Sequence, residues 1–208
     1  SMLFNLDHAA NLTYGNYTEQ LSEKSDSDIF IEAVKEDVEI KHEVWSTVAK
    51  VAKENAILAT NTSGIPINVI AKVFSEEDKQ RFVGLHFFNP PRFMKLVEVI
   101  PNTETSEEVI EQVTKFTEDT LGKGVIHAKD VPAFVANRTG THAMSDIMFR
   151  GEKEGYSIAE IDALTGKVIG RPMGTYALAD LVGLDVAMFV VGGLMRDPSE
   201  QHFFNQAE

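Results

Sequence analysis

No cysteine occurs anywhere in the 208 residues, which excludes disulfides, thiolate nucleophiles and Cys-ligated metal. The same absence fits a reducing, cytoplasmic setting, and no metal site is expected. Long apolar runs are missing too: none approaches the ~18 residues that a membrane-spanning helix needs. The first residues carry no leader pattern, and Ser1-Met2 reads as a tag remnant or a start site. Basic residues are scarce. Lys and Arg total 19 against 32 Asp and Glu, a formal net charge of -13. Nucleic-acid binding rests on Lys and Arg neutralising phosphates, so this balance argues against it. An anionic ligand would need a local basic pocket to override the overall charge. Much of the acidic excess falls in helix-like stretches such as Ser75-Glu76-Glu77-Asp78 and Glu107-Glu108-Glu111, which points to solvated faces. A phosphate-cradling G-x-G-x-x-G turn is also lacking. Gly122-Lys123-Gly124 is the only G-x-G near a strand, but it follows a helix instead of opening one, and the third glycine is absent.

What is present is an alternation of short apolar runs and amphipathic stretches. Residues Asn11 to Leu21 have weak periodicity and are expected to hold one short strand and a turn at Tyr14-Gly15-Asn16. Asp28 to Val34 reads as a buried strand, Glu36 to Glu54 as a helix, and Ala56 to Thr60 as a second strand ending in Asn61-Thr62-Ser63-Gly64. A short helix over Ile67 to Phe74 follows. Arg81 to Phe88 is a third strand, stopped by Asn89-Pro90-Pro91, and Leu96 to Ile100 a fourth. Thr105 to Leu121 is a strongly amphipathic helix with Ser106 as its N-cap and Gly122 past its end. Gly124 to Ala128 closes the series. Strand alternating with helix predicts an α/β domain with a largely parallel sheet. After Asp130 only helical patterns recur, at Ala133 to Glu154, Ile158 to Val168 behind a Ser157 cap, and Tyr176 to Leu181. The boundary falls near Val131-Pro132, giving an α/β domain over 1–131 and an all-α helical domain over 132–208.

One histidine stands out. His86 lies near the end of the third strand, where open α/β sheets present ligands. His8, His42, His127, His142 and His202 lack such a setting and read as surface or structural. Glu98 sits between Val97 and Val99, where a carboxylate is costly unless it has a partner. A turn at Pro90-Pro91 between two adjacent strands would bring Glu98 beside His86, to fix the imidazole tautomer and stabilise the imidazolium. The competing reading leaves Glu98 on the solvated face of an edge strand.

The segment HFFNPPRFMKLVEVI resembles the catalytic stretch of 3-hydroxyacyl-CoA dehydrogenases in residues and spacing. The resemblance implies that His86 is the general base and that Glu98, twelve residues on, orients it. Asn61-Thr62-Ser63 looks like the family's N-T-S turn, with Ser63 bonding the substrate oxygen and Asn61 on the cofactor side. Val131-Pro132-Ala133-Phe134-Val135-Ala136-Asn137-Arg138 is similar to the entry into the family's helical domain, with Asn137 completing the substrate site. Glu32-Ala33-Val34-Lys35-Glu36-Asp37 resembles an E-A-x-x-E stretch, which places Ala33, Glu36 and Lys41 on the nicotinamide side. Gly170-Arg171-Pro172-Met173-Gly174 with Asp180-Leu181-Val182-Gly183-Leu184-Asp185 matches a G-x-P-M-G…D-x-x-G-L-D pattern, although turns and helix caps explain most of it.

The resemblance covers Asp28 to Asp185, about three quarters of the chain. It implies a partial Rossmann-like sheet followed by the start of a helical domain. It also implies NAD as cofactor, an acyl-CoA substrate, 3-ketoacyl-CoA as product and a place in fatty-acid β-oxidation. The helical domain is where a homodimer contact would form. Two departures matter: the Gly-rich loop is absent, and so is the acidic residue that would hold the adenosine ribose. These residues alone are therefore expected to bind NAD weakly. The alternative is a truncated or degenerate relative acting as a non-catalytic binding or structural module.

Overall fold

A computed structural model describes residues 10–17, 19–195 and 198. His8 and His202 therefore lie outside the described residues, as does the side chain of Asp185. Five strands form one sheet in chain order: β1 (Ile29–Glu32), β2 (Ile57–Thr60), β3 (Phe82–Phe87), β4 (Leu96–Pro101) and β5 (Gly124–His127). The β1–β2, β2–β3 and β4–β5 pairings are parallel. β2 is buried along its whole length, as expected of a parallel strand covered on both faces.

The sheet is not parallel throughout. β3 and β4 pair antiparallel, with His86 opposite Glu98 in register. The link between them runs only from 88 to 95, and a parallel return needs a crossover of a dozen or more residues. Expectation and structure part at the start of the chain. No strand forms over residues 11–17 or 19–21; the first regular element past them is a 3-10 turn at Leu21–Lys24. Leu12 is 62% and Tyr14 102% exposed, so these apolar side chains have no layer to pack on.

Around the sheet lie α1 (Val38–Val48), α2 (Ile67–Ile70) continued by a 3-10 turn, α3 (Glu76–Gln80) and α4 (Glu107–Lys115). Asp37 caps α1 by accepting from the Ile40 N–H, and Ser106 caps α4 by accepting from Val109. Helix α4 passes into a π turn over Phe116–Thr120, and Glu107, Glu108 and Glu111 face solvent. Trp45 of α1, wholly buried, packs against Phe74 and Phe82 with ring centroids 5.6 and 5.4 Å away. Such aromatic pairs contribute about 0.5–1.5 kcal/mol each beyond the area they bury.

The remaining helices are α5 (Ala136–Lys153), α6 (Ile158–Thr165), α7 (Thr175–Val182) and α8 (Leu184–Met195). Ser157 and Glu160 form a reciprocal capping box at the start of α6. The Asp162 carboxylate accepts from the N–H groups of Tyr176 and Ala177 and so caps α7 from outside. A Cβ on Gly174 would sit 2.5 Å from the Asp162 Cα, so only glycine admits that approach. The G-x-P-M-G segment is thus accounted for by turns and a cap. Among the described residues no helix is long and apolar enough to cross a membrane.

Candidate active site

The carboxyl ends of β1, β2 and β3 and the start of the antiparallel β4 converge on one rim of the sheet. His86 is 3% exposed and Glu98 fully buried. The imidazole Nδ1–H donates to Glu98 Oε2 at 2.7 Å. A carboxylate can only accept here, so the proton sits on Nδ1 and Nε2 is left as the basic nitrogen. No partner for Nε2 occurs among the described residues. Phe88 and Phe134 flank the imidazole with ring centroids 4.5 and 5.7 Å away. Those rings keep water from the pair.

Glu98 has a second set of partners. Its Oε1 accepts from the backbone N–H of Val135 at 2.9 Å and of Ala136 at 2.8 Å, at the start of the 18-residue helix α5. The positive end of that helix favours an anion. Burial alone would push the Glu98 carboxyl up. The hydrogen bonds from His86, Ala136 and Val135 outweigh it and hold the group below the usual carboxylate range. Just before the helix, Ala133 and Phe134 take φ values of 61° and 49°, a left-handed conformation that costs a non-glycine residue energy. Strain of this kind persists where surrounding contacts over-determine the backbone, and here it aims two N–H groups at one carboxylate oxygen.

The turn after β2 carries Asn61, Thr62 and Ser63. Asn61 Oδ1 accepts from the Phe87 N–H at 2.9 Å, pinning the turn to the residue beside His86. Ser63 is exposed at the same rim. Glu36 Oε1 accepts from the Thr62 hydroxyl at 2.6 Å and from the N–H groups of Ser63 and Gly64 at 3.0 Å each. Burial raises the Glu36 carboxyl. The Thr62 hydroxyl, the Lys41 charge and the two N–H groups outweigh it, so the net shift is downward. Ala33 and Val34 leave β1 exposed. Asn137 lies half-buried in the first turn of α5, next to the residues that hold Glu98.

Lys41 sits differently from the expectation that it lines a cofactor. It is 1% exposed, with Nζ 2.8 Å from Glu32 Oε1 and 3.3 Å from Glu36 Oε2. Its ammonium lies beneath the rim and supports Glu36 from below. Glu32, Thr60 and Thr62 were not singled out by sequence reasoning, although a glutamate ending the apolar run Ile29–Glu32 was a signal of the same kind as Glu98. His42 bonds the Val69 carbonyl and His127 the Thr114 hydroxyl, in keeping with structural or surface roles.

Comparison with known proteins finds relatives over most of the chain. The family model described as 3-hydroxyacyl-CoA dehydrogenase, NAD binding domain, matches residues 2–131, and that described as the C-terminal domain of 3-hydroxyacyl-CoA dehydrogenase matches 134–207. A probable 3-hydroxyacyl-CoA dehydrogenase of Deinococcus radiodurans is 43% identical, covering 93% of this chain and 57% of that protein. The mitochondrial hydroxyacyl-coenzyme A dehydrogenase of Homo sapiens is 37% identical, covering 87% and 57%. Among solved structures, (S)-3-hydroxybutyryl-CoA dehydrogenase from Ralstonia eutropha superposes with a TM-score of 0.79 at 34% identity, over 88% of this chain and 63% of that one. The chain spans little more than half the length of these two sequence relatives.

Proposed function

Because this chain belongs to the 3-hydroxyacyl-CoA dehydrogenase family, we propose that it oxidises a 3-hydroxyacyl-CoA to the 3-ketoacyl-CoA with NAD, as a step of fatty-acid β-oxidation. The carrying observation is the buried His86–Glu98 pair at 2.7 Å. Oxidation of a secondary alcohol removes a proton from oxygen and a hydride from carbon. His86 Nε2 takes the proton, and Glu98 stabilises the imidazolium that results, an arrangement of general-base catalysis typically worth ~10²–10⁴-fold. Ser63 and Asn137 hold the substrate oxygen, which is an orientation effect. NAD, when bound, supplies the hydride acceptor.

The residues at the rim fit the nicotinamide end of that cofactor. Ala33 and Val34 offer an exposed apolar ledge, Glu36 keeps a flank 27% exposed, and Asn61 is half-buried in the turn beside them. At the turn after β2 the Ser63 and Gly64 N–H groups are taken by Glu36, and no G-x-G-x-x-G occurs in the 208 residues. We assign 1–131 to the cofactor-binding portion and 132–208 to the helical portion, and the cytoplasm as location. A homodimer contact belongs on the helical portion, where Val168, Ile169, Leu181 and Met188 are each at least 60% exposed.

The occupation of the Ser63 and Gly64 N–H groups by the chain's own Glu36 favours a second reading, a non-catalytic binding module on the same scaffold. NADH-dependent reduction of acetoacetyl-CoA, followed by NADH absorbance at high NADH, separates the two. Turnover that falls by about 10²–10⁴-fold in His86→Ala supports the dehydrogenase. Absence of turnover at every NADH concentration rejects it in favour of the binding module.

A further inference from the structure

Beneath the rim lies a buried ionic network, of which the proposed cofactor site uses only the exposed flank of Glu36. Glu32 is 5% exposed and Lys41 1%. Glu32 Oε1 accepts from Lys41 Nζ at 2.8 Å and from the Val34 N–H at 2.7 Å, and Oε2 accepts from the Thr60 hydroxyl at 2.7 Å. Thr60 is fully buried and faces Glu32 across the β1–β2 ladder. Lys41 then reaches Glu36, whose Oε1 gathers the Thr62 hydroxyl and the Ser63 and Gly64 N–H groups. Successive N–H groups in a turn make a concave anion site, and here the protein's own carboxylate fills it. The chain of contacts runs from the sheet to the backbone that carries Ser63.

We propose that Glu32 and Lys41 are positioning residues for Ser63: anchored to the sheet at Thr60, they hold the Glu36 carboxylate in the Asn61–Gly64 turn and so fix where the Ser63 hydroxyl is presented. The inference rests on the reading of Ser63 as the group that holds the substrate oxygen. A buried ammonium with two carboxylates is stable only while all its partners are present, and losing one leaves an uncompensated charge. Lys41 then no longer holds Glu36 in place, and the turn is secured by Asn61 alone. Ser63 moves while the fold around it stays.

Backbone amide hydrogen exchange tests this without any need for activity. In Glu32→Gln and Lys41→Met, protection of the Ser63 and Gly64 amides is expected to drop by about 10–100-fold, with the amides of the central strand β3 unchanged. Thr60→Val keeps every charge and removes one hydroxyl, so it covers the case in which the charge variants fail to fold. Its expected loss at the same amides is smaller, about 3–10-fold. The companion measurement is acetoacetyl-CoA reduction: kcat is expected to fall about tenfold or more in step with the loss of protection, because ground-state binding alone does not need Ser63 fixed. Unchanged Ser63 and Gly64 protection in all three variants overturns the proposal. Loosened amides with unchanged kcat in an active enzyme overturn the assigned consequence for Ser63. A wild-type protein with no turnover refutes the dehydrogenase reading instead, and the exchange data still decide the network.

Discussion

Replacing Glu98 by glutamine changes one atom and asks what the carboxylate is for. The native group accepts three hydrogen bonds, one from His86 and two from the start of α5. A primary amide has one oxygen. With that oxygen turned to Val135 and Ala136, its NH₂ faces His86 Nδ1, which must then accept, and the ring proton moves to Nε2. The imidazole can no longer take a proton from the substrate, and the imidazolium loses its counter-charge. Together these changes are expected to lower kcat for acetoacetyl-CoA reduction and for the reverse oxidation by ~10²–10⁴-fold. Stability should fall much less, because the two α5 donors keep an acceptor. Glu98→Ala removes that acceptor as well and leaves both part-buried N–H groups without it, an added loss of up to about 1–3 kcal/mol for each. Paired measurements of turnover and thermal melting on the two variants therefore separate catalysis from architecture. A Glu98→Gln protein that turns over at the wild-type rate would refute the tautomer argument, and a Glu98→Ala protein as stable as Glu98→Gln would refute the bridging one.

Acid sensitivity follows from the same carboxylate. Glu98 and Glu36 are both held below their ordinary value of 4.5 in the folded chain, so near that pH the unfolded chain binds more protons than the folded one. Their stabilisation is complete above 4.5 and is lost as pH falls below it, with a slope of up to ~1.4 kcal/mol per pH unit for each proton. Denaturant melts across the acid range should show a shallower decline for Glu98→Gln, and parallel curves would count against the assignment. Gly84→Ala places a Cβ 3.0 Å from the Ile100 Cβ and 3.1 Å from its carbonyl oxygen. Overpacking of this kind should cost about 1–3 kcal/mol in denaturant unfolding. Ser157→Ala removes one half of the capping box on α6, and its melting temperature should report a loss of about 0.5–2 kcal/mol.

The His86–Glu98 pair was legible in the sequence because both signals are local: a histidine at a strand end, and a carboxylate flanked by Val97 and Val99 that has to find a partner. The remaining contacts of Glu98 were not. They come from backbone N–H groups at Val135 and Ala136, presented by the positive φ of Ala133 and Phe134, and backbone donors leave no mark in side-chain patterning. The strands and most helices could be read from apolar periodicity. Helix α8 could not, since Leu184–Met195 is apolar nearly all round and shows no polar face. The expected strand near Tyr14 shows the opposite error, apolar residues without an adjacent layer to bury them. The return of β4 beside β3 was legible as well, because Pro90-Pro91 signals a turn and the segment 88–95 is too short for a crossover.

That short antiparallel return gives the His86–Glu98 pair an unusual tolerance. Cross-strand register, and not the intervening chain, sets the distance between base and acid. The segment 88–95 can therefore lengthen at little thermodynamic penalty, about 0.6 kcal/mol per doubling of a flexible loop. A single residue inserted between Leu96 and Glu98 has the opposite effect, because strand side chains alternate and the carboxylate would turn to the far face. The loop can thus vary in length and sequence while the His86–Glu98 geometry is inherited unchanged.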